Sequence, residues 1–239
     1  FAADIRRNGY NNTTVIEQIM EVSDQTGVEM ESFSRIPTHV GIIPDGNRRW
    51  AQQRGYTKRD GYQYGVAPGF ELYRALIDYG VKEATFYGFT KDNNKRAPDQ
   101  REAFTDACIE AVELLSEKDA NLLVVGNTDS PAFPQALKKY ANRRVHFGRG
   151  LIDLNFLVNY DWEWDLGQLA EHRQLASHDI SRIDLIIRWG GRRRLSGFLP
   201  VQSVYADFYT IDGYWPDYKL SDFLSALRWY QDCDVTLGG

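Results

Sequence analysis

The chain has 239 residues, 43% hydrophobic and 26% charged, with a net charge of −5, which suits one large soluble domain and excludes a generally basic, nucleic-acid-wrapping surface. Its 28 lysines and arginines can still cluster locally, while two cysteines, Cys108 and Cys233, make neither a disulfide framework nor a zinc site. No apolar run nears the ~20 residues of a membrane span, and the opening FAADIRRNGYNN lacks the apolar middle of a secretion signal, so a cytosolic chain is expected, with peripheral membrane contact left open.

Residues 14–22 carry Val15, Ile16, Ile19, Met20 and Val22 at helical spacing, and residues 1–36 read as an N-terminal helical extension ending at Ile36-Pro37. From 37 to 239 the text alternates as a single domain. A strand in HVGIIPDG delivers Asp45, a helix covers 67–79 with Gly80 as its stop, and 84–89 is a second strand. The helix over 100–118 aligns Phe104, Cys108, Ala111, Val112 and Leu115 on one face. Strands follow at 121–125, 151–158, 183–188 and 206–211, with helices at 134–141, 165–175 and 221–230. The alternation predicts an α/β fold with a mainly parallel central sheet flanked by helices.

Ligands of such sheets sit beyond the C-terminal strand ends, and three polar clusters fall there. DGNRRW offers Asp45, a Gly46-Asn47 turn and the paired Arg48 and Arg49, with Arg54 and Lys58 further on. TKDNNKR, from Thr90 to Arg96, is dense in donors. RWGGRRRLS puts Arg188, Arg192, Arg193 and Arg194 beside Ser196, with glycines that let backbone approach a ligand. Taken singly, each also reads as a solvated surface turn. Together, with carboxylates at Asp45 and Asp207, they suggest a diphosphate site with a divalent cation, since Mg²⁺ is commonly held by one or two carboxylates and substrate phosphates.

These motifs carry a resemblance. HVGIIPDGNRRWAQQRG, YGFTKDNNKR and RWGGRRRLSGFLPVQSVYADFYTIDGYWPDY are similar, in order and spacing, to the three signatures of the cis-prenyltransferase family of undecaprenyl diphosphate synthase type, over roughly residues 39–239. The resemblance implies condensation of an allylic diphosphate with isopentenyl diphosphate, Mg²⁺-dependent, forming a Z double bond. It assigns Asp45 to the metal and to diphosphate departure, and Asn93 to proton removal. Gly46, Asn47, Arg48, Arg49, Trp50, Lys58, Tyr62, Thr90, Lys91, Asp92, Asn94 and Arg96 belong to the substrate site. Arg188, Arg194, Leu195 and Ser196 belong to the acceptor side, and Asp207 is the second acidic metal ligand. The growing chain is expected in an apolar tunnel between the helix at 100–118 and the sheet. A homodimer is the implied assembly, with a heteromer as the alternative and no nucleic acid.

The chain departs from the family pattern mainly on the acceptor side. Tyr62 stands where His is usual, Asn94 where Trp is usual, Arg192-Arg193 where a Glu-His pair is usual, and Val201 where Trp is common. Thr236 takes the place of an arginine that in the family reaches the neighbouring subunit's isopentenyl diphosphate. Three alternatives therefore stand beside head-to-tail elongation: irregular coupling of two allylic diphosphates, prenylation of another acceptor, and the catalytic subunit of a heteromer.

Overall fold

In the computed structural model, which describes residues 30–234, the first apolar run becomes strand β1 (His39–Ile43), buried at every position. A strand buried on both faces needs a continuous apolar text rather than alternation, and HVGII supplies it. Phe198 packs across Gly41, where a Cβ would come within 2.6 Å of its ring. The chain then runs through α1 (Asn47–Gln53), α2 (Asp60–Gln63) and α3 (Val66–Asp78) to β2 (Glu83–Tyr87). A 3-10 turn at Lys91–Lys95 leads into α4 (Pro98–Leu115), whose Pro98 occupies the first turn, where its missing N–H is harmless. There follow β3 (Ala120–Val125), β4 (Val145–His146), β5 (Ile152–Leu157), α5 (Trp162–His172), β6 (Leu185–Arg188), β7 (Asp207–Thr210) and α6 (Leu220–Gln231).

The seven strands lie in the order β4-β3-β5-β2-β1-β6-β7, and every pairing is parallel except β3 with β4. The expected α/β class, strands and helices are present. The antiparallel β4 was not anticipated, because a two-residue strand leaves no periodic signal. The segment expected as a helix at 134–141 forms a 3-10 helix, Gln135–Tyr140. One face of the sheet carries the larger core, with α3, α4 and α6. The other carries a smaller core built around Ile43, Leu157, Ile186 and Phe198. β2 and β6 flank β1, and their connections run to opposite sides of it, so the strand order reverses beside β1 and opens a crevice at its C-terminal end.

The expected helix at 14–22 and the expected terminal motif at 236–239 lie outside the described residues. Within 30–36, Arg228 of α6 forms a fork of two 2.6 Å bonds to Glu31, and Arg35 lies 4.0 Å over the Tyr230 ring. No helix of the described residues is long and apolar enough to cross a membrane.

A buried carboxylate ties α5 to the smaller core. Asp165, 4% exposed, accepts bonds from the Tyr160 hydroxyl at 2.8 Å and from the Ser177 N–H and hydroxyl at 3.0 and 2.6 Å. Asp165→Ala would strand three buried donors, each worth about 1–3 kcal/mol when orphaned but not additive. Urea unfolding should therefore show a loss of about 3 kcal/mol with an unchanged slope.

Candidate active site

The end of β1 fixes the centre of the crevice. Asp45 leaves the strand, and Gly46 takes φ 106°, a left-handed conformation, at the start of α1. A Cβ there would also fall 2.5 Å from the Tyr214 ring. The turn therefore requires glycine twice over, and it aims the Asp45 carboxylate at the end of β6.

There it meets Arg188, the last residue of β6. The Arg188 guanidinium, 4% exposed with its residue, donates one bond to Asp45 Oδ2 at 2.9 Å, another to Ser196 Oγ at 3.0 Å, and a third to the Arg194 carbonyl. Arg49 stands 3.3 Å from Asp45 Oδ1 and donates to the Gly190 carbonyl at 2.9 Å. The first and third sequence clusters are thus locked together through one carboxylate. Burial works to keep a proton on Asp45, but the bond and charge of Arg188, with the charge of Arg49, outweigh it and hold the carboxyl below the usual carboxylate range.

Around this lock lies an open cavity of about 720 Å³. Asp45, Gly46, Asn47, Arg48, Arg49, Lys58, Tyr62, Thr90, Asp92, Asn93, Arg96, Arg188, Arg194 and Ser196 all line it. Arg48, Lys58 and Arg194 have no carboxylate partner among the described residues, so the basin presents unneutralised positive charge. The Asn93 carboxamide donates to Thr90 Oγ1, while its buried Oδ1 has no partner. Arg96 donates to the Tyr62 hydroxyl at 2.9 Å and lies 5.1 Å over the Phe104 ring, and Tyr62 stacks on Phe104 at 4.7 Å. Beneath this stack a second, apolar cavity of about 90 Å³ opens between α3, α4 and the sheet.

Five expected site residues lie elsewhere. Trp50 turns under α1, where its indole donates to Asp217 at 2.7 Å and stacks on Tyr56; it is a buried strut rather than part of the basin wall. Leu195 packs into the smaller core. Lys91 pairs with Asp161 at 2.6 Å, and Asn94 donates to Asn159 at 3.2 Å; both line a separate polar cavity beyond the 3-10 turn. Asp207 opens β7 in register with Leu185, three residues before Arg188 and thus about 10 Å along the strand from the site end. Within one chain it cannot share an ion with Asp45, and its nearest cation is Arg35 at 3.8 Å. Conversely, Tyr87, Gln100, Phe104 and Arg192 line the basin without having been chosen as site residues. Tyr87 donates to the Ser196 carbonyl at 2.8 Å and holds that loop in place.

Residues 43–238 match the family model of the undecaprenyl diphosphate synthases. The chain belongs to that family. It is a prenyltransferase, and its strand-end basin is where the family's motifs converge. An isoprenyl transferase of Thermus thermophilus is 31% identical over 229 residues, covering 82% of this chain and 86% of the relative. The ditrans,polycis-undecaprenyl-diphosphate synthase of Escherichia coli, described as (2E,6E)-farnesyl-diphosphate specific, is 28% identical, covering 84% and 89%. The crystal structure of lavandulyl diphosphate synthase from Lavandula x intermedia, in complex with dimethylallyl diphosphate, aligns with a TM-score of 0.71 at 24% identity, over 85% of this chain and 98% of that one. At that identity the likeness speaks for the fold.

Proposed function

We propose that this prenyltransferase condenses an allylic prenyl diphosphate with isopentenyl diphosphate. The allylic carbon–oxygen bond breaks, diphosphate leaves, a carbon–carbon bond forms to the acceptor, and a proton departs to leave a Z double bond. The observation that carries this reading is the basin itself: one ionised carboxylate beside unpaired arginines and a lysine, directly above an apolar cavity. Such a site suits a polyanionic head and a hydrocarbon tail together.

The donor set fits Mg²⁺. The side chain of Asp45 is one-third exposed, and Asp92, the other carboxylate on the wall, faces Lys95 at 2.6 Å. The ion would be held by Asp45 and by substrate phosphate oxygens, as Mg²⁺ commonly is. When bound, it supplies neutralisation of the charge that develops on departing diphosphate. Arg48, Lys58 and Arg194 hold the anionic groups in register, and the Asn93 oxygen, like that of Asn47 buried without a partner, is an acceptor able to orient the departing proton.

On the acceptor side, Arg192 lines the basin and Arg193 does not, which favours Arg192 as the internal substitute for the absent terminal arginine. The reading carries a homodimer as well, for which Val201, Val204 and Tyr205, 49–66% exposed, offer apolar surface. The test is to incubate purified chain with Mg²⁺, labelled isopentenyl diphosphate and a set of allylic starters. Labelled product from the single chain is expected, with the KM for isopentenyl diphosphate raised about tenfold in Arg192→Ala, the worth of one charge-assisted bond. Coupling of two allylic diphosphates without isopentenyl incorporation would replace the proposal with irregular coupling. Activity only after a homologous subunit is added would replace it with the heteromer.

A further inference from the structure

Beyond the 3-10 turn at Lys91–Lys95 lies the polar cavity of about 360 Å³ that shares no lining residue with the basin. The turn is the wall between them. Thr90, Asp92 and Asn93 line the basin, whereas Lys91 and Asn94 line the polar cavity. Asn127 follows the end of β3 and Asn159 the end of β5, so this cavity too sits at the carboxyl ends of parallel strands, where such sheets bind ligands. Its volume falls in the range of small-molecule sites, roughly 300–1,000 Å³.

Its walls are carboxamides joined in a relay. Asn94 Nδ2 donates to Asn159 Oδ1 at 3.2 Å, and Asn159 Nδ2 donates to the Asn127 carbonyl at 3.2 Å. Asn159 holds the middle at φ 50°, a left-handed backbone that asparagine tolerates better than most side chains, and is only 3% exposed. The relay is unfinished at one end: Asn94 Oδ1 is shielded from water and has no partner, an arrangement that costs stability until a donor reaches it. Asn127 Oδ1 and Ser130 Oγ each accept a turn N–H, at 3.1 and 3.2 Å, which leaves the protons of both groups to be given elsewhere.

The charges on these walls select among ligands. Lys91 is spent on Asp161 at 2.6 Å, so the Glu163 carboxylate is the surplus and a diphosphate is repelled. Trp164 is the one aromatic ring on the lining, too little apolar surface for a hydrocarbon tail. Among the described residues no three His, Cys, Asp or Glu side chains gather as a metal site. The ligand that fits is neutral, gives and takes hydrogen bonds around its edge, and lays an apolar face on an indole. A pyranose does all of this, because each hydroxyl is both donor and acceptor and its ring C–H groups form the face. We propose that the cavity binds a neutral polyhydroxylated molecule of pyranose size, separately from the diphosphate basin. Asn94 stands where the family usually has Trp, so this wall belongs to the chain and not to the family pattern.

The test is proton–nitrogen NMR of the labelled chain, with inorganic diphosphate held at saturation to occupy the basin, and glucose and N-acetylglucosamine as probes. Shifts should centre on the side-chain amides of Asn94, Asn127 and Asn159 and on the Trp164 indole, with a Kd in the millimolar range or tighter. Glucose 6-phosphate should bind about threefold more weakly than glucose, a modest factor because Glu163 is exposed and screened. Asn94→Trp, which fills the cavity, should weaken both probes about tenfold or more while melting within a few degrees of the wild type. The proposal is overturned if neither sugar shifts these signals, or if diphosphate abolishes the shifts and so places the sugar in the basin. Tighter binding of glucose 6-phosphate than of glucose would overturn the neutral class, and unchanged binding by folded Asn94→Trp would overturn the cavity. Should Asn94→Trp fail to fold, the wild-type shifts with and without diphosphate still decide.

Discussion

Replacing Asp45 by asparagine should lower turnover about 1000-fold, the loss typical of removing one preorganised electrostatic group, while the melting temperature stays within a few degrees of the wild type. The two outcomes follow from separate features. Asparagine keeps an oxygen for the Arg188 bond at 2.9 Å, so the lock between β1 and β6 survives. It removes the negative charge of the basin's central carboxylate, which Arg188 and Arg49 hold in place and which is the group proposed to meet the cation once substrate enters. Chelation should silence the wild type and Mg²⁺ should restore it, whereas the variant should respond to neither. Steady-state kinetics decide the matter: turnover within tenfold of wild type would remove Asp45 from the chemistry.

Replacing Arg188 by methionine should act on fold and chemistry together. Methionine roughly fills the stem but leaves Asp45, Ser196 Oγ and the Arg194 carbonyl without their shared donor. Breaking a buried ion pair costs about 3–5 kcal/mol, and with Asp45 one-third exposed to water the loss here should be about 2–3 kcal/mol. The sign of the pH dependence follows from the carboxyl. Arg188 depresses the folded-state pKa of Asp45, so its stabilisation is fully present above the ordinary carboxylate range and disappears as pH falls through the depressed value. The stability gap between wild type and Arg188→Met, measured by urea unfolding, should be widest near neutrality and shrink toward strong acid. Without Arg188 the carboxyl keeps its proton to higher pH, so the acid limb of kcat/KM should move upward. An unmoved acid limb would show that another group governs it.

Much of this was legible in the sequence, and the failures have physical causes. HVGII followed by PDG announces a buried strand ending in a turn, and that alone locates Asp45. The DGNRRW turn was harder to read residue by residue. On a helix each position rotates about 100°, so Arg49 reaches the basin while Trp50 turns beneath α1. The same rotation, tighter in a 3-10 turn, sends Asn93 into the basin and Asn94 and Lys91 out of it. Asp207 stands away from the basin within one chain, and a usable signal for that existed. It opens its strand, and in a parallel sheet the opening residue lies at the end opposite the ligand crevice. Arg192 was legible only as one of the arginines of RWGGRRRLS and not as part of the basin wall. One arginine among three in a glycine-hinged loop has no periodicity to orient it.

The strand order bears on how this chain avoids misassembly. A sheet edge exposes unpaired backbone donors and acceptors, and a long flat edge invites a stranger's strand. Among the described residues the two outermost strands are β4, of two residues, and β7, of four, while the longer strands are all enclosed. β4 also runs against its neighbour, so it ends the parallel ladder instead of extending it. Arg35 stands near the Asp207 carboxylate on β7 and puts charge on that border. Fibre-like stacking through either margin would gain only a few backbone bonds. Association between copies is therefore directed to side-chain surfaces, which can be specific, and away from the backbone, which cannot.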